Sequence, residues 1–121
     1  MKIQIKRIYD EPARGDGFRA LVDRLWPRGI SKETAELDLW AKDVAPSSAL
    51  RKSCPRDPEH FPEFKKLYLK EIRENGAAID DLLAAVRKSR KSTLTLLYAS
   101  REVELNHAVV LKEGIEKRLG R

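Results

Sequence analysis

The sequence is poor in the residues that build disulfides and metal sites. Among its 121 residues there are one cysteine, two histidines and one methionine. The single Cys54 cannot form an intramolecular disulfide, which fits a reducing compartment. His60 and His107 with one cysteine give no recognisable zinc spacing, so no metal is expected.

Long hydrophobic runs and common cofactor motifs are missing as well. No apolar run approaches the roughly 18 residues that span a bilayer, and the N-terminal MKIQIKRIYD lacks the apolar stretch of a secretory signal. The chain contains no GxGxxG, GxxxxGK[ST] or GxSxG motif. We therefore expect a cytoplasmic protein with no membrane partner and no cofactor.

The length, hydrophobic content and net charge of the chain are typical of a single folded domain that binds anions. A length of 121 residues predicts a single domain, 1–121, and a hydrophobic share of 41% is enough for one core. The 25 Lys and Arg residues outnumber 19 Asp and Glu residues, which gives a formal net charge of +6. Such a charge favours nucleotides, phosphorylated metabolites or nucleic acid as partners.

The pattern of hydrophobic residues predicts alternating strands and helices. Strand-like segments are 2–9, 18–26, 37–44 and 93–99. Helix-like segments are 31–37, 47–53, 57–75, 77–91 and 102–119. Their order favours a layered α/β domain with a small, mostly parallel sheet flanked by helices.

Two of these helices have clear boundaries and faces. The third should begin with Asp57 as N-cap and Pro58 at its first position, and end at Asn75-Gly76. Its predicted buried residues are Phe61, Phe64, Tyr68 and Ile72, and those of the fourth are Ile79, Leu82, Leu83 and Val86. The fourth should also carry its acids in its first turn.

Charges crowd the end of the second predicted strand, in DRLWPRG at 23–29. If the strand reaches Trp26, Asp23 and Arg24 point to opposite faces among large apolar groups. Each then needs an opposite charge, hydrogen bonds or a ligand. A structural ion pair and a ligand site both remain open.

Arg28 follows a stiff turn at the same strand end. Trp26-Pro27 restricts the backbone before it, and Gly29 allows a positive φ after it. A guanidinium held in this way can bind a carboxylate or phosphate with two parallel donors. We expect Arg28 to contact an anion.

Two further strand ends carry polar groups. In WAKDVAPSS, Trp40 and Lys42 precede a helix start at Ser47, which forms either an anion site or an ordinary cap. In YASREVELNH, Tyr98 precedes Asn106 and His107 on the next helix. His107 is either a partly buried structural histidine or a general acid or base.

Cys54 lies beside Arg51, Lys52 and Arg56, and nearby cations favour a reactive thiolate. No dependable histidine partner accompanies it, so a small structural side chain is the favoured interpretation.

The segments VDRLWPRGISK, WAKDVAPSSALRKS, DPEHFPEFKKLY and TLLYASREVELNHAVVL resemble the YeaO-like family of small bacterial proteins, a domain of unknown function. The resemblance covers nearly the whole chain and implies no established activity. The family's motif residues correspond to Asp23, Arg24, Trp26, Pro27, Arg28, Gly29, Trp40, Lys42, Pro46, Ser47, Lys52, Tyr98, Asn106 and His107.

The chain departs from the family pattern after Lys52. The family commonly has an aromatic pair and a histidine there, where this chain has Ser53, Cys54 and Arg56. If that histidine serves catalysis in relatives, this protein binds a ligand without turning it over.

We hypothesise an anion-binding crevice for a nucleotide or phosphorylated small molecule, with turnover left open. Its binding residues would be Arg24, Arg28, Lys42, Ser47, Lys52, Tyr98 and His107. Residues shaping it would be Asp23, Trp26, Pro27, Gly29, Trp40 and Asn106. The alternative is a nucleic-acid-binding module that uses RKSRK, 87–91, and the basic C-terminal helix. An acidic protein partner is a third hypothesis, and the sequence leaves the oligomeric state open.

Overall fold

The computed structural model describes residues 1–53 and 57–121. Over these ranges it has four strands, β1 (Lys2–Arg7), β2 (Phe18–Leu21), β3 (Leu39–Trp40) and β4 (Thr93–Tyr98). The α-helices there are α1 (Lys32–Ala35), α2 (Ser48–Lys52), α3 (Phe61–Glu74), α4 (Gly76–Ser89) and α5 (His107–Arg118). Short 3₁₀ turns occupy Arg14–Asp16 and Lys42–Val44.

The strands form one parallel sheet in the order β1-β4-β2-β3. The predicted α/β class is confirmed, and every strand pair in the described ranges is parallel. Leu96 of β4 lies beside Ile5 on one side and Ala20 on the other. Because parallel strands end at the same edge, the segments that follow β2, β3 and β4 meet there.

β4 lies in the middle of the sheet and is covered on both faces, as its apolar sequence predicts. Leu94 and Leu96 join the large core beneath α3, α4 and α5. Leu97 lies on the other face with Ile8, Leu21 and Ala35. The predicted buried residues of α3 and α4 are all buried, which confirms their helical periodicity.

All four strands are shorter than predicted, β1 by two residues and β4 by one, and the difference is larger for β2 and β3. β2 ends at Leu21 rather than at Trp26, because Oδ2 of Asp23 accepts the Ala99 N–H at 3.1 Å and takes the place of a ladder bond. β3 spans Leu39–Trp40 alone, and Lys42–Val44 then turns as 3₁₀ helix. Asp23 and Arg24 therefore lie in a loop, where the alternation of a strand does not orient them.

Three helix starts also differ from the prediction. α3 begins at Phe61, because Asp57 accepts the His60 N–H at 3.2 Å within a preceding turn and Pro62 occupies the first helical turn. α4 begins at Gly76, directly after Asn75, which leaves its first turn without acids. α5 begins at His107, where Asn106 caps the Val109 N–H.

Within the described ranges, no helix combines the length and the apolar character that crossing a bilayer requires.

Candidate functional site

A crevice of about 280 Å³ opens at the edge where β2 and β4 end. It lies outside the carboxyl ends of parallel strands, where ligands of open α/β sheets usually bind. Its lining residues come from the loops after β2, β3 and β4 and from α2 and α5: Asp23, Arg24, Leu25, Ala45, Pro46, Arg51, Ser100, Leu105, Asn106 and His107. This set is called the crevice below.

Asp23 and His107 meet in the wall of the crevice. Nε2 of His107 lies 2.9 Å from Oδ1 of Asp23 and 3.1 Å from the Val22 carbonyl oxygen. The imidazole N–H donates to the Val22 carbonyl, so the buried Oδ1 contacts His107 without receiving a well-directed hydrogen bond from any described residue. The pair links the start of α5 to the end of β2.

Arg24 connects the strand end to the loop before α2. Its Nε donates to the Pro46 carbonyl oxygen at 3.1 Å, and Nη2 donates to that of Ala45 at 3.3 Å. A guanidinium carries five N–H groups, so this anchoring leaves donors for a ligand. The sequence left an ion pair or a ligand open for Arg24, and in the structure backbone carbonyls fix its direction.

Arg51 also lines the crevice, and sequence reasoning missed it as a binding residue. It lies on the five-residue helix α2 and is exposed. The neighbouring Lys52, selected from the sequence, is exposed on the same helix and does not line the crevice. A helix this short has too few apolar positions to show from sequence which side faces inward.

The stiff turn at Trp26-Pro27 is formed as expected, but Arg28 does not reach the crevice. Nε1 of Trp26 donates to the Ile30 carbonyl oxygen at 2.6 Å, and Gly29 has a φ of 75°. The Arg28 carbonyl accepts the Tyr9 hydroxyl at 2.9 Å, while its side chain is exposed. Arg28 lines none of the three cavities that Arg24 borders.

Trp40 and Lys42 line a different cavity, of about 560 Å³, between the 39–44 segment and α4. The Lys42 ammonium lies 5.1 Å from the Trp40 ring centroid, within cation–π range. Nε1 of Trp40 donates to the Asp23 carbonyl oxygen at 2.7 Å, and its ring packs edge-on against Trp26 at 5.3 Å. Arg24 borders this second cavity as well as the crevice.

Ser47 caps α2, but a carboxylate of the protein already occupies its donors. The Ser47 N–H donates to Oε1 of Glu71 at 2.9 Å, and its hydroxyl donates to Oε2 at 2.7 Å. The same hydroxyl accepts the Leu50 N–H at 3.2 Å. Glu71 thus fills the position that the sequence offered to an external anion.

Tyr98 and Asn106 support the site from beneath. Tyr98 is buried in the large core, and burial raises the pKa of its phenol. Asn106 is buried and donates through Nδ2 to the Glu102 carbonyl oxygen at 2.8 Å while capping α5. It fixes the direction in which α5 presents His107 to the crevice.

The position of Cys54 and that of Arg56 lie outside the described residues. The hypothesis of a reactive Cys54 therefore stays a sequence prediction.

Histidine and carboxylates also meet at the surface before α3. One ligand atom from each of Asp57, Glu59 and His60 lies within 4.8 Å of the others. Nδ1 of His60 is 2.5 Å from Oδ2 of Asp57, and its hydrogen bond lowers the pKa of that carboxyl. This contact orders the turn that leads into α3.

Comparison with known proteins identifies the family. The family model described as "Inactive DUF488-N3 subclade" matches residues 2–121. The chain belongs to this subclade. Its description calls the subclade inactive, and the match covers the crevice, the sheet and all five described helices.

Curated relatives agree with this assignment and confirm the YeaO-like resemblance. The chain is 40% identical over 118 residues to "Uncharacterized protein YeaO" of Escherichia coli strain K12, covering 95% of this chain and 97% of that protein. It is 38% identical over 118 residues to Mb3100c of Mycobacterium bovis and Rv3073c of Mycobacterium tuberculosis, covering 97% of this chain and 96% of each. No solved structure matches the chain.

Proposed function

We propose that the protein binds a compact phosphorylated small molecule, such as a mononucleotide or sugar phosphate, in the crevice. One observation carries the proposal: Arg24, Arg51 and His107 approach a single cavity from three different segments of the chain. Guanidinium and imidazolium groups are strong donors to phosphate oxygens.

The charge balance of the crevice supports an anionic ligand. Among the described residues, its lining has two arginines against one carboxylate, that of Asp23. Both oxygens of Asp23 face the protein, one toward the Ala99 N–H and the other toward His107. The N-terminal end of the twelve-residue helix α5 adds a partial positive charge at the same place.

The size of the crevice limits the ligand. Its volume of about 280 Å³ lies just below the range of roughly 300–1,000 Å³ that is typical of small-molecule sites. This space suits one phosphate with a small attached group better than a dinucleotide.

Binding without turnover is the form of this proposal that we favour. Among the described residues that line the crevice, His107 and Asp23 are accompanied by one hydroxyl residue, Ser100, whose oxygen accepts the Glu102 N–H at 3.1 Å. The inactive description of the subclade supports the same choice.

The nucleic-acid alternative receives less support from the described residues. Basic side chains of α5 lie next to carboxylates. Nζ of Lys112 lies 3.3 Å from Oε1 of Glu116, and Nη2 of Arg118 lies 2.7 Å from Oδ2 of Asp80. Lys91 of the RKSRK segment likewise pairs with Asp38 at 3.0 Å. Bases that are paired in this way offer a weaker phosphate-tracking face than a free basic stripe.

The test compares two neighbouring cations of α2. We expect Arg51→Ala to weaken binding of ribose 5-phosphate about tenfold, because it removes a charge-assisted contact of roughly 1.5 kcal/mol. Lys52→Ala, the matched control, should change the dissociation constant less than twofold. Calorimetric titration measures the constants, and urea denaturation checks that both variants stay folded.

If Arg51→Ala and Lys52→Ala lost the same amount of affinity for ribose 5-phosphate, Arg51 would not make a contact that is specific to the crevice. Three probes are offered to the wild-type protein: inorganic phosphate, ribose 5-phosphate and adenosine monophosphate. If it binds none of them, the proposed function is overturned.

A further inference from the structure

We propose that His107 contacts the bound anion through Nδ1, and that the protein takes up a proton at this atom when the anion binds. This inference rests on the proposed function and assigns one ligand-contacting atom and its protonation state.

The first step concerns the inner nitrogen of the ring. Nε2 of His107 lies between the Val22 carbonyl oxygen, at 3.1 Å, and Oδ1 of Asp23, at 2.9 Å. A carbonyl and an ionised carboxylate only accept hydrogen bonds. Nε2 therefore carries a proton in both the neutral and the charged form of the ring.

The second step concerns the outer nitrogen. Because Nε2 faces Val22 and Asp23, Nδ1 is the nitrogen that His107 offers to the crevice it lines. Nδ1 has no hydrogen-bond partner among the described residues, and it is not among their buried unpaired atoms. With Nε2 protonated in both forms, the neutral ring and the imidazolium differ by the proton on Nδ1.

The third step couples that proton to the ligand. In the neutral ring Nδ1 carries a lone pair, which would repel an oxyanion placed beside it. In the imidazolium the same atom donates a hydrogen bond and adds a positive charge. An anion that binds only one of these forms shifts the protonation equilibrium toward that form.

The charged groups around the ring define its surroundings. Asp23 faces the ring from the end of β2 at 2.9 Å and favours the imidazolium. Arg24 and Arg51 line the same crevice, and their positive charges disfavour the imidazolium form of His107. A bound dianion offsets the two arginines, which gives the physical reason for proton uptake on binding.

Nitrogen NMR of the wild-type protein tests the proposal directly. The probe is inorganic sulfate, a dianion that does not titrate between pH 6 and 8. At pH 7.5 without sulfate, long-range proton–nitrogen spectra should show the Nε2–H tautomer of His107. With saturating sulfate the His107 signals should move to imidazolium values, while those of exposed His60 remain unchanged.

A variant separates this role from a structural link. The amide of His107→Gln can replace Nε2 as donor to Val22, and it has no titrating group. We expect this variant to bind sulfate about tenfold more weakly at pH 6 and with little dependence on pH. In the wild type, sulfate affinity should be higher at pH 6 than at pH 8.

The outcomes distinguish the two proposals. If sulfate binds and Arg51→Ala weakens it, but His107 stays neutral or carries its proton on Nδ1 alone, this inference is overturned and the proposed function stands. If the wild type binds none of sulfate, inorganic phosphate, ribose 5-phosphate and adenosine monophosphate, both are overturned.

Discussion

Asp23 and Arg24 act on the backbone rather than on each other. Asp23 accepts the Ala99 N–H, and Arg24 donates to the carbonyl oxygens of Ala45 and Pro46. These side chains satisfy backbone groups where the sheet ends and three loops meet. Charges that interrupt the predicted strand thus hold the walls of the crevice in place.

A second charged pair, Asp16 and Arg19, is more deeply buried. Asp16 and Arg19 are only 3% and 5% exposed, and the Arg19 Nη1 lies 2.5 Å from Oδ2 of Asp16. The same carboxylate accepts the Ala13 N–H at 2.9 Å and lies 3.1 Å from the Lys6 ammonium. Arg19 also donates to the Ala35 carbonyl oxygen at 2.8 Å and thereby joins β2 to α1.

We predict that Asp16→Asn lowers the free energy of unfolding at pH 7 by about 3–5 kcal/mol, because it leaves the buried Arg19 without its countercharge. Urea denaturation measures the change. The control is Asp80→Asn, which removes the partner of Arg118 at the surface and should cost far less. Equal losses would show that burial does not strengthen the Asp16 contact.

The stability that Asp16 provides should depend on pH. Burial raises the pKa of Asp16, but hydrogen bonds from Ala13, Lys6 and Arg19 outweigh this effect, so the pKa lies below its usual 3.8. The folded state therefore favours the carboxylate, and its contribution is complete above pH 3.8 and is lost as the pH falls through the folded-state pKa. The gap between wild type and Asp16→Asn in urea midpoint should therefore stay nearly constant from pH 7 down to about pH 4 and narrow only as the pH falls below 3.8.

At the scale of elements, the connection between β1 and β2 depends on Gly17. This residue ends the 3₁₀ turn with a φ of 61°, in the region that favours glycine. A Cβ at this position would overlap the Thr93 carbonyl oxygen at the start of β4. The missing side chain lets β2 enter the sheet directly beside β4.

We expect Gly17→Ala to destabilise the protein much more than Gly29→Ala. Both glycines have positive φ, 61° and 75°, and each replacement should cost about 1–2 kcal/mol for backbone conformation. A Cβ at Gly29 meets nothing within 4 Å, whereas one at Gly17 forces β2 and β4 apart. Chemical denaturation compares the free energies of unfolding of the two variants. Similar denaturation midpoints would refute the close approach of Gly17 to Thr93.

At the scale of the whole molecule, the net charge of +6 produces an electrostatic field that attracts anions without selecting a particular binding site. It attracts anions of every kind, and the crevice differs from the exposed basic surface in that Arg24, Arg51 and His107 line one cavity. A compact ligand bound there would contact few charges, whereas a duplex on the surface would contact many.

Salt dependence should therefore separate the two modes of binding. For ribose 5-phosphate, the logarithm of the association constant should fall with the logarithm of salt concentration with a slope of about −2 or shallower. A duplex tracked by many bases would give a slope near −0.9 for each phosphate neutralised. Tight duplex binding with a steep slope, unaffected by Arg51→Ala, would favour the basic surface over the crevice.

Part of the candidate site follows from the sequence. The sequence predicts Asp23 and Arg24 at the end of the second strand and Asn106 and His107 after the fourth, at one edge of the sheet, and all four line the crevice. The other sequence-selected binding residues lie elsewhere: Arg28, Lys42, Ser47, Lys52 and Tyr98. Backbone order predicts which segments meet, but it does not predict the direction of a side chain in a loop or in a helix of one turn.

The sequence by itself determined the α/β class, the covered central strand and the inward faces of α3 and α4, because burial repeats with the period of each element. Tertiary structure alone decided that β2 stops at Leu21, that Glu71 occupies the cap of Ser47, and that Arg51 rather than Lys52 meets the crevice. Each of these outcomes depends on a contact between residues distant in sequence. Local periodicity carries no information about such contacts, since they form only when the elements pack together.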